Sequence, residues 1–435
     1  MPKKILFLNV TGSSNKGDMA VVIGHIMGIK HYLPDAEITL LSGNVEVDKF
    51  YETFGVKVCP HPWYTRQRKL WKDGWRKQLL ETNSFLSGLP KFFSFLLSLS
   101  KLSSALLYPL RKKESPFQDF DVVLDTIPDR LNESFHGFVE CGAVLFVIFM
   151  AEKTIKKPIL VGPSSIGSIN SPVLKFLTRL VLNNVYVVAT RDQRSFCYVK
   201  NLGINKPKVL SLSDMAFLLP SASEEKIISV AQEIGLDVRN HAFVGVVPRV
   251  YVWQTVTQYY DLVAQFIDWL VSQFGVYVCL IPMETGFGVY WNDEITNKEI
   301  YQRVHQKNAV HIIPGKCDPT VIKGLIGNFE FVVSWKFHGA LLPSSALVPT
   351  LALSYGEKYN ELFRNQLCLP DLLIDVRGYG PDALLSLLKR NFEKAWFNKE
   401  EIKRRLSSRV ECSKALSLSY SKVVCDIVEK SENRR

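Results

Sequence analysis

Short apolar runs alternate with longer stretches of helical periodicity from one end of the chain to the other. Eleven runs read as strands: Ile5–Val10, Glu37–Leu41, Val122–Asp125, Ile159–Gly162, Tyr186–Ala189, Val209–Leu212, Phe243–Val247, Val276–Ile281, Val310–Ile313, Phe331–Ser334 and Thr350–Ser354. A stretch able to form a helix separates most of them. Strand, helix, strand in repetition predicts parallel sheets with crossover helices on both faces, an α/β protein. Tyr259, Leu262, Val263, Phe266, Ile267, Leu270, Val271 and Phe274 recur at three- and four-residue steps, and Gly275 is placed to end that helix in a left-handed cap. Asp318-Pro319 reads as an N-cap followed by proline at the first helical position. The pattern breaks at Leu219-Pro220-Ser221-Ala222-Ser223. A chain of 435 residues has length for two or more domains. The expected division is 1–220 and 221–435, both α/β, with a terminal helix from about Lys399 to Val428 packing back across the halves.

Composition narrows the class. Hydrophobic residues are 47% and charged residues 22% of the chain, as in ordinary globular proteins. No run of about 18 consecutive apolar residues occurs, so no membrane-spanning helix is expected. The apolar run at the start stops at Asn9, shorter than the roughly 7–15 residues of a secretory signal, and suits a first buried strand. The eight cysteines contain no C-x-x-C pair, and several sit in apolar runs; a reduced, cytoplasmic protein is expected. The histidines are dispersed and no carboxylate–histidine cluster has ligand spacing, so no metal is expected. The net charge of +11 attracts polyanions without choosing among them.

Residues 63–116 stand apart. Trp63, Tyr64, Trp71 and Trp75 interleave with Arg66, Arg68, Lys69, Lys72, Arg76 and Lys77, followed by an apolar, serine-rich stretch. One reading is a helical hairpin inserted in the first domain. The other is a face for anionic headgroups or a lipid-linked substrate, a peripheral contact at the inner membrane face. No recognised module surrounds the patch, so no nucleic-acid partner is expected.

Several loops that follow strands carry polar residues, and in open α/β sheets ligands bind beyond the strands' carboxyl ends. After the first strand, Asn15-Lys16-Gly17-Asp18 opens a helix. Either its amides receive an anion, or Asp18 caps the helix and consumes them. Asp125 and Asp129 lie just past another strand, placed to orient or deprotonate a hydroxyl or to act as turn and ion-pair residues. Ser164 and Ser165 lie between glycines, Arg191 precedes a potential cap at Asp192, and Arg249 follows the strand Phe243–Val247. The block Ser334-Trp335-Lys336-Phe337-His338-Gly339 sets a lysine and a histidine two residues apart at a helix start, and Tyr355 and Lys358 follow the next strand. A histidine so placed is a candidate acid or base.

Taken in order, these blocks resemble the polysaccharide pyruvyltransferase family. The resemblance runs from Ile5 to Phe363 through Asn15–Asp18, Asp125–Asp129, Gly162–Gly167, Thr190-Arg191-Asp192, Ser213–Phe217, Ile281-Pro282, Lys336–Ala340, and Ser354-Tyr355 with Lys358. The chain departs from the family in having Lys336 for the usual arginine, Gly339 before Ala340, Met283 where a histidine often follows Ile-Pro, and Ile127-Pro128-Asp129 for a Gly-Gly-Asp-like stretch.

The resemblance implies two Rossmann-like domains arranged as in GT-B glycosyltransferases, with the active site in the interdomain cleft. It implies pyruvyl transfer from phosphoenolpyruvate to a hydroxyl pair of a sugar, glycan or lipid-linked glycan of the cell envelope, forming a ketal and releasing phosphate. No cofactor is expected beyond that co-substrate. The expected roles are His338 as acid/base, Asp129 as activator of the acceptor hydroxyl, and Arg249, Lys336 and Arg191 as donor contacts. Asn15, Gly17, Asp18, Asp125, Ser164, Ser165, Tyr355 and Lys358 are expected to line the cleft. Two alternatives stay open at this point: a nucleotide-sugar glycosyltransferase on the same architecture, and a non-catalytic relative that binds anionic ligands.

Overall fold

The computed structural model describes residues 2–10, 14–61, 119–129, 131–238, 240–250, 256–286 and 291–432; the basic–aromatic segment 63–116 lies outside them. Two parallel sheets are formed. The first comprises β1 (Lys4–Val10), β2 (Glu37–Ser42), β3 (Lys57–Pro60), β4 (Val122–Asp125), β5 (Ile159–Ser164), β6 (Val187–Thr190) and β7 (Lys208–Ser211), in the order β3-β2-β1-β4-β5-β6-β7. The second comprises β8 (Phe243–Val247), β9 (Tyr277–Leu280), β10 (Val310–Ile312), β11 (Phe331–Ser334), β12 (Thr350–Ser354) and β13 (Leu373–Asp375), in the order β10-β9-β8-β11-β12-β13.

Among the described residues the helices of eight or more residues are α1 (Lys16–Tyr32), α2 (Glu133–Ile155), α3 (Pro172–Leu182), α4 (Gln193–Asn201), α5 (Glu224–Glu233), α6 (Val256–Phe274), α7 (Asp293–Arg303), α8 (Pro319–Ile326), α9 (Phe337–Ser345), α10 (Pro381–Phe397) and α11 (Lys399–Glu432). Gly275 ends α6 at φ 62°, and Asp318 caps α8 by accepting from the amides of Thr320 and Val321, as the sequence predicts.

Strand periodicity sorts the core. Ile5 and Phe7 of β1 face one side of the first sheet and Leu6 and Leu8 the other, and all four are fully buried. That double burial produces a continuous apolar strand instead of an alternating one. One core cluster runs from the α1 side of the first sheet into the second sheet; the other lies between the first sheet and α2 and α3. Among the described residues, α2 alone is long and apolar enough to cross a membrane by length and composition. In the fold it buries Cys141, Val144, Leu145, Ile148 and Ala151 in the second cluster. The terminal helix α11 returns to the first half, packing on α1 and touching β4 and β5.

Two strands escape the sequence pattern, β3 and β13. Each is the last strand of its sheet, is short and keeps a residue exposed, so neither shows a fully apolar run.

Two buried histidines make stability depend on pH. Burial lowers the pKa of His25 and of His61 from 6.5 to about 3, with Asp214 partly opposing the shift at His25. The unfolded chain takes up protons there below about pH 6.5, whereas the folded chain does so only near 3. Their contribution is therefore whole above 6.5 and is lost as the pH falls toward 3, at up to about 1.4 kcal/mol per pH unit for each ring. Urea unfolding between pH 7 and 4 should show this slope, and His25→Gln should make it shallower.

Candidate functional site

The strand order reverses between β1 and β4 in the first sheet and between β8 and β11 in the second. Such reversals open a crevice at the carboxyl ends of the strands. The loops after β1, β4 and β8 carry Asn15, Asp129 and Arg249; β11 leads through Lys336 to His338 at the start of α9. Contacts between the halves show that the two crevices face each other.

The helix opening by Asn15 is built from both halves. The cap of α1 is Asn15, not Asp18: its Oδ1 accepts from the amides of Gly17 (2.9 Å) and Asp18 (3.2 Å). Asp18 is half-buried in the first turn. Asn15 Nδ2 donates to Glu284 Oε1 at 3.3 Å. Backbone bonds run alongside, from Lys16 N to Met283 O (2.8 Å) and from Thr285 N to Ser14 O (2.8 Å).

Lys336, at the N-cap position of α9, is buried. Its ammonium pairs with Glu284 and lies 2.9 Å from Asp293 Oδ1. Asp293 Oδ2 in turn accepts from the amides of Met283 (2.7 Å) and Glu284 (2.8 Å). Burial pushes the Glu284 carboxyl up, but Lys336 and then Arg249 outweigh it and hold it below its usual range. Lys336 is thus paired with two carboxylates. Removing one member of a buried pair strands the others, at about 3–5 kcal/mol. Lys336→Met should lose stability of that order in denaturant unfolding. A loss of donor affinity with unchanged stability would instead make Lys336 a donor ligand.

His338, in the first turn of α9, faces the first half. Its Nε2 lies 3.5 Å from Asp214 Oδ2, an ion-pair distance and longer than a well-formed hydrogen bond. The other edge of the ring rests against Gly17: a Cβ added there would stand 2.2 Å from Nδ1. Asp214 also accepts from Arg191 Nη1 at 2.7 Å and from the Ala216 amide at 2.9 Å. Burial alone would raise its pKa; Arg191 first and His338 next more than reverse that, and the group stays ionised.

Arg191 is held further by Ser165 Oγ, which accepts from its Nε at 2.8 Å, and by the Phe337 ring 4.7 Å away. Asp192 caps α4 by accepting from the Ser195 amide. Asp129 lies 3.0 Å from Lys358 Nζ and 3.8 Å from Arg191 Nη2. Burial opposes ionisation there too, but Lys358 and Arg191 leave its pKa below the ordinary value. A carboxylate so stabilised orients a hydroxyl better than it takes its proton.

Arg249 Nη1 donates to the Tyr355 hydroxyl at 3.3 Å, and its guanidinium lies 5.4 Å from that ring and 5.9 Å from the Trp291 ring. Lys358 sits 5.4 Å from the Phe135 ring and 5.6 Å from Phe337. Asp125 is deeper, accepting from Asn9 Nδ2 at 2.9 Å and only 2% exposed. Ser164 is buried at the end of β5. A narrow cavity between the halves is lined by Ser165, Arg191, Asp214, Phe337, Lys358 and Glu361. Among the described residues no group of three or more His, Cys, Asp or Glu is placed to hold a metal.

Four participants have no strong sequence signal. Asp214 stands out only within the block Ser213–Phe217, and Glu284, Asp293 and Gln366 not at all. Gln366 donates to the Arg191 carbonyl at 2.6 Å and accepts from Ser213 Oγ at 3.2 Å. The one available hint is that Glu284 lies just beyond the carboxyl end of β9.

Two facing Rossmann-like halves with opposed crevices define a GT-B-type architecture, and solved structures of that kind share it. UDP-GlcNAc 2-epimerase from Neisseria meningitidis, bound to UDP-GlcNAc, superposes with a TM-score of 0.56 at 13% identity, covering 99% of this chain and 100% of that one. HepE from Anabaena, in complex with UDP and glucose, gives 0.51 at 14% identity, with 99% of each chain covered. A glycosyltransferase from Rickettsia africae gives 0.54 at 11% identity over the whole of both chains. At such identities the likeness concerns the fold. The family follows from sequence: the model of the polysaccharide pyruvyl transferase family matches residues 15–357. The chain belongs to that family, and it is a transferase.

Proposed function

We propose that the chain moves a pyruvyl group from phosphoenolpyruvate to two hydroxyls of a sugar in a polysaccharide or glycan precursor. The observation that carries this reading is the meeting of His338, backed by Asp214, with Arg191, Lys358 and Arg249 between the two crevices. A donor carrying close to three negative charges calls for such cations, whose bonds to phosphate and carboxylate are charge-assisted. Arg249 and Arg191 are the guanidinium contacts in this reading. Lys336 reaches the donor only by exchanging one of its carboxylates; otherwise it serves by holding Glu284 and Asp293.

In the reaction, His338 gives a proton to the enol methylene, which becomes the methyl group. One sugar hydroxyl adds to the carbon bearing carboxylate and phosphate, with Asp129 orienting it. The second hydroxyl displaces phosphate and closes the ketal. Of the two hydroxyl protons, one restores His338 and the other leaves on hydrogen phosphate, so a trianionic donor becomes one ketal carboxylate and one dianionic phosphate. The scheme needs no further cofactor.

The test is incubation of purified protein with phosphoenolpyruvate and a panel of glycans, following phosphate release and the new ketal methyl signal by NMR. Nucleoside diphosphate release from nucleotide sugars, without phosphate release from phosphoenolpyruvate, would replace this reading with glycosyl transfer. Donor binding without turnover on any acceptor would make the chain a binding protein.

A further inference from the structure

We propose that the outer face of the first half, formed by α3, the carboxyl end of α2 and the start of β6, docks on an anionic lipid bilayer. α3 buries Leu174, Thr178, Val181 and Leu182. It turns Val173, Phe176 and Leu180 outward at 43%, 64% and 46% exposure. These three lie at three- and four-residue steps and form one apolar stripe on the solvent side. Tyr186, immediately before β6, is 55% exposed as well.

The charge around this stripe has one sign. From Lys153 to Ser213 the chain carries ten lysines and arginines and a single acidic residue, Asp192. Asp192 is taken up by Ser165 and Ser195, and Arg191 belongs to the cleft. Lys153, Lys156, Lys175, Arg179, Lys206 and Lys208 are exposed.

The topology gathers these cations at one end of the stripe. α2 and α3 start side by side, where Glu133 accepts from the amides of Asn170 and Ser171. The two helices pack on each other and run the same way from that point, so Lys153 and Lys156 of α2 and Arg179 of α3 all lie toward the helices' carboxyl ends. The Tyr186 amide donates to the Ile159 carbonyl, and the Lys208 amide donates to the Tyr186 carbonyl.

An aromatic and aliphatic stripe rimmed by cations matches the interface of a bilayer carrying negative headgroups. A polyanion such as a nucleic acid would use the cations but leave Phe176 and Leu180 without a function.

The experiment is co-sedimentation of the full-length protein with vesicles of phosphatidylcholine plus phosphatidylglycerol, and with phosphatidylcholine alone. Binding should require the anionic lipid and weaken as salt is raised. Phe176→Asp with Leu180→Asp should lower partitioning about tenfold or more, and Lys156→Glu with Lys175→Glu should lower it about tenfold at low salt. Both double variants should keep the unmodified near-UV circular dichroism and melting temperature, because the altered side chains lie on the surface. Phosphate release with a water-soluble acceptor should also be unchanged. Equal binding to both vesicle types would overturn the proposal. So would normal binding by both variants alongside loss of binding in Trp71→Ser with Trp75→Ser. A vesicle-independent dimer that the α3 variant converts to monomer would assign the face to a second copy of the chain instead.

Discussion

His338→Ala should lower kcat by about 100- to 10,000-fold while leaving the donor Kd close to its original value, the range typical of a lost general acid. The split between kcat and Kd follows from the geometry. The ring makes its polar contact with Asp214 at Nε2, and in the proposed reaction the donor is held by the cations of other residues. What the ring brings to the proposed reaction is a transferable proton, beside a carboxylate that stays ionised because Arg191 outweighs its burial. His338→Gln, with a hydrogen-bonding side chain but no such proton, should be nearly as slow. Stopped-flow or quench measurement of kcat, with donor Kd by calorimetry, separates the outcomes. Near-normal kcat in His338→Gln would leave the histidine a positioning role and make Asp129 the next group to test.

Gly17→Ala should cost on the order of 100-fold in activity, although the substitution lies on the opposite half from His338. The new methyl would stand 2.2 Å from Nδ1, 2.5 Å from Cγ and 2.7 Å from Cβ of His338. Contacts that short force the ring to move, and a displacement of about 1 Å in a catalytic group is enough for a loss of that size. Alanine favours the helical backbone over glycine by about 1 kcal/mol, which partly offsets the strain on folding. Activity should therefore fall much more than melting temperature does. Full activity in a folded Gly17→Ala protein would show that the ring has room to yield and that its placement against α1 is not functional.

How much of this can be read from the sequence depends on where each residue sits. The interior strands are visible because burial on both faces makes them continuously apolar, as in Ile159-Leu160-Val161. β3 fails that test because Lys57-Val58-Cys59-Pro60 is an edge with one buried residue. Lys336 and His338 are visible because polar residues break the passage from a buried strand to a helix. Their partners are not, because each is distant in sequence. Glu284 is 52 residues from Lys336 within the second half, and Asp214 lies in the first half, so its pairing with His338 exists only after the halves meet. The same limit applies to Lys336, whose charge is legible in sequence whereas the two carboxylates that occupy it are not. Asp18 illustrates a nearer ambiguity. Asn15 and Asp18 are both good cap residues three positions apart, and only the backbone conformation selects Asn15.

The return of α11 to the first half also bears on synthesis. Strands of the first sheet end at Ser211, but the helix that packs on α1 and touches β4 and β5 begins only at Lys399. The intervening residues 212–398 take roughly 10–40 s to translate at about 5–20 residues per second. During that interval the first half emerges from the ribosome with its α11-binding surface bare, including the neighbourhood of His25, whose ring stacks edge-on against Tyr420 in the finished fold. The nascent first half therefore presents an apolar, unfinished surface, and its completion waits for α11 to leave the exit tunnel.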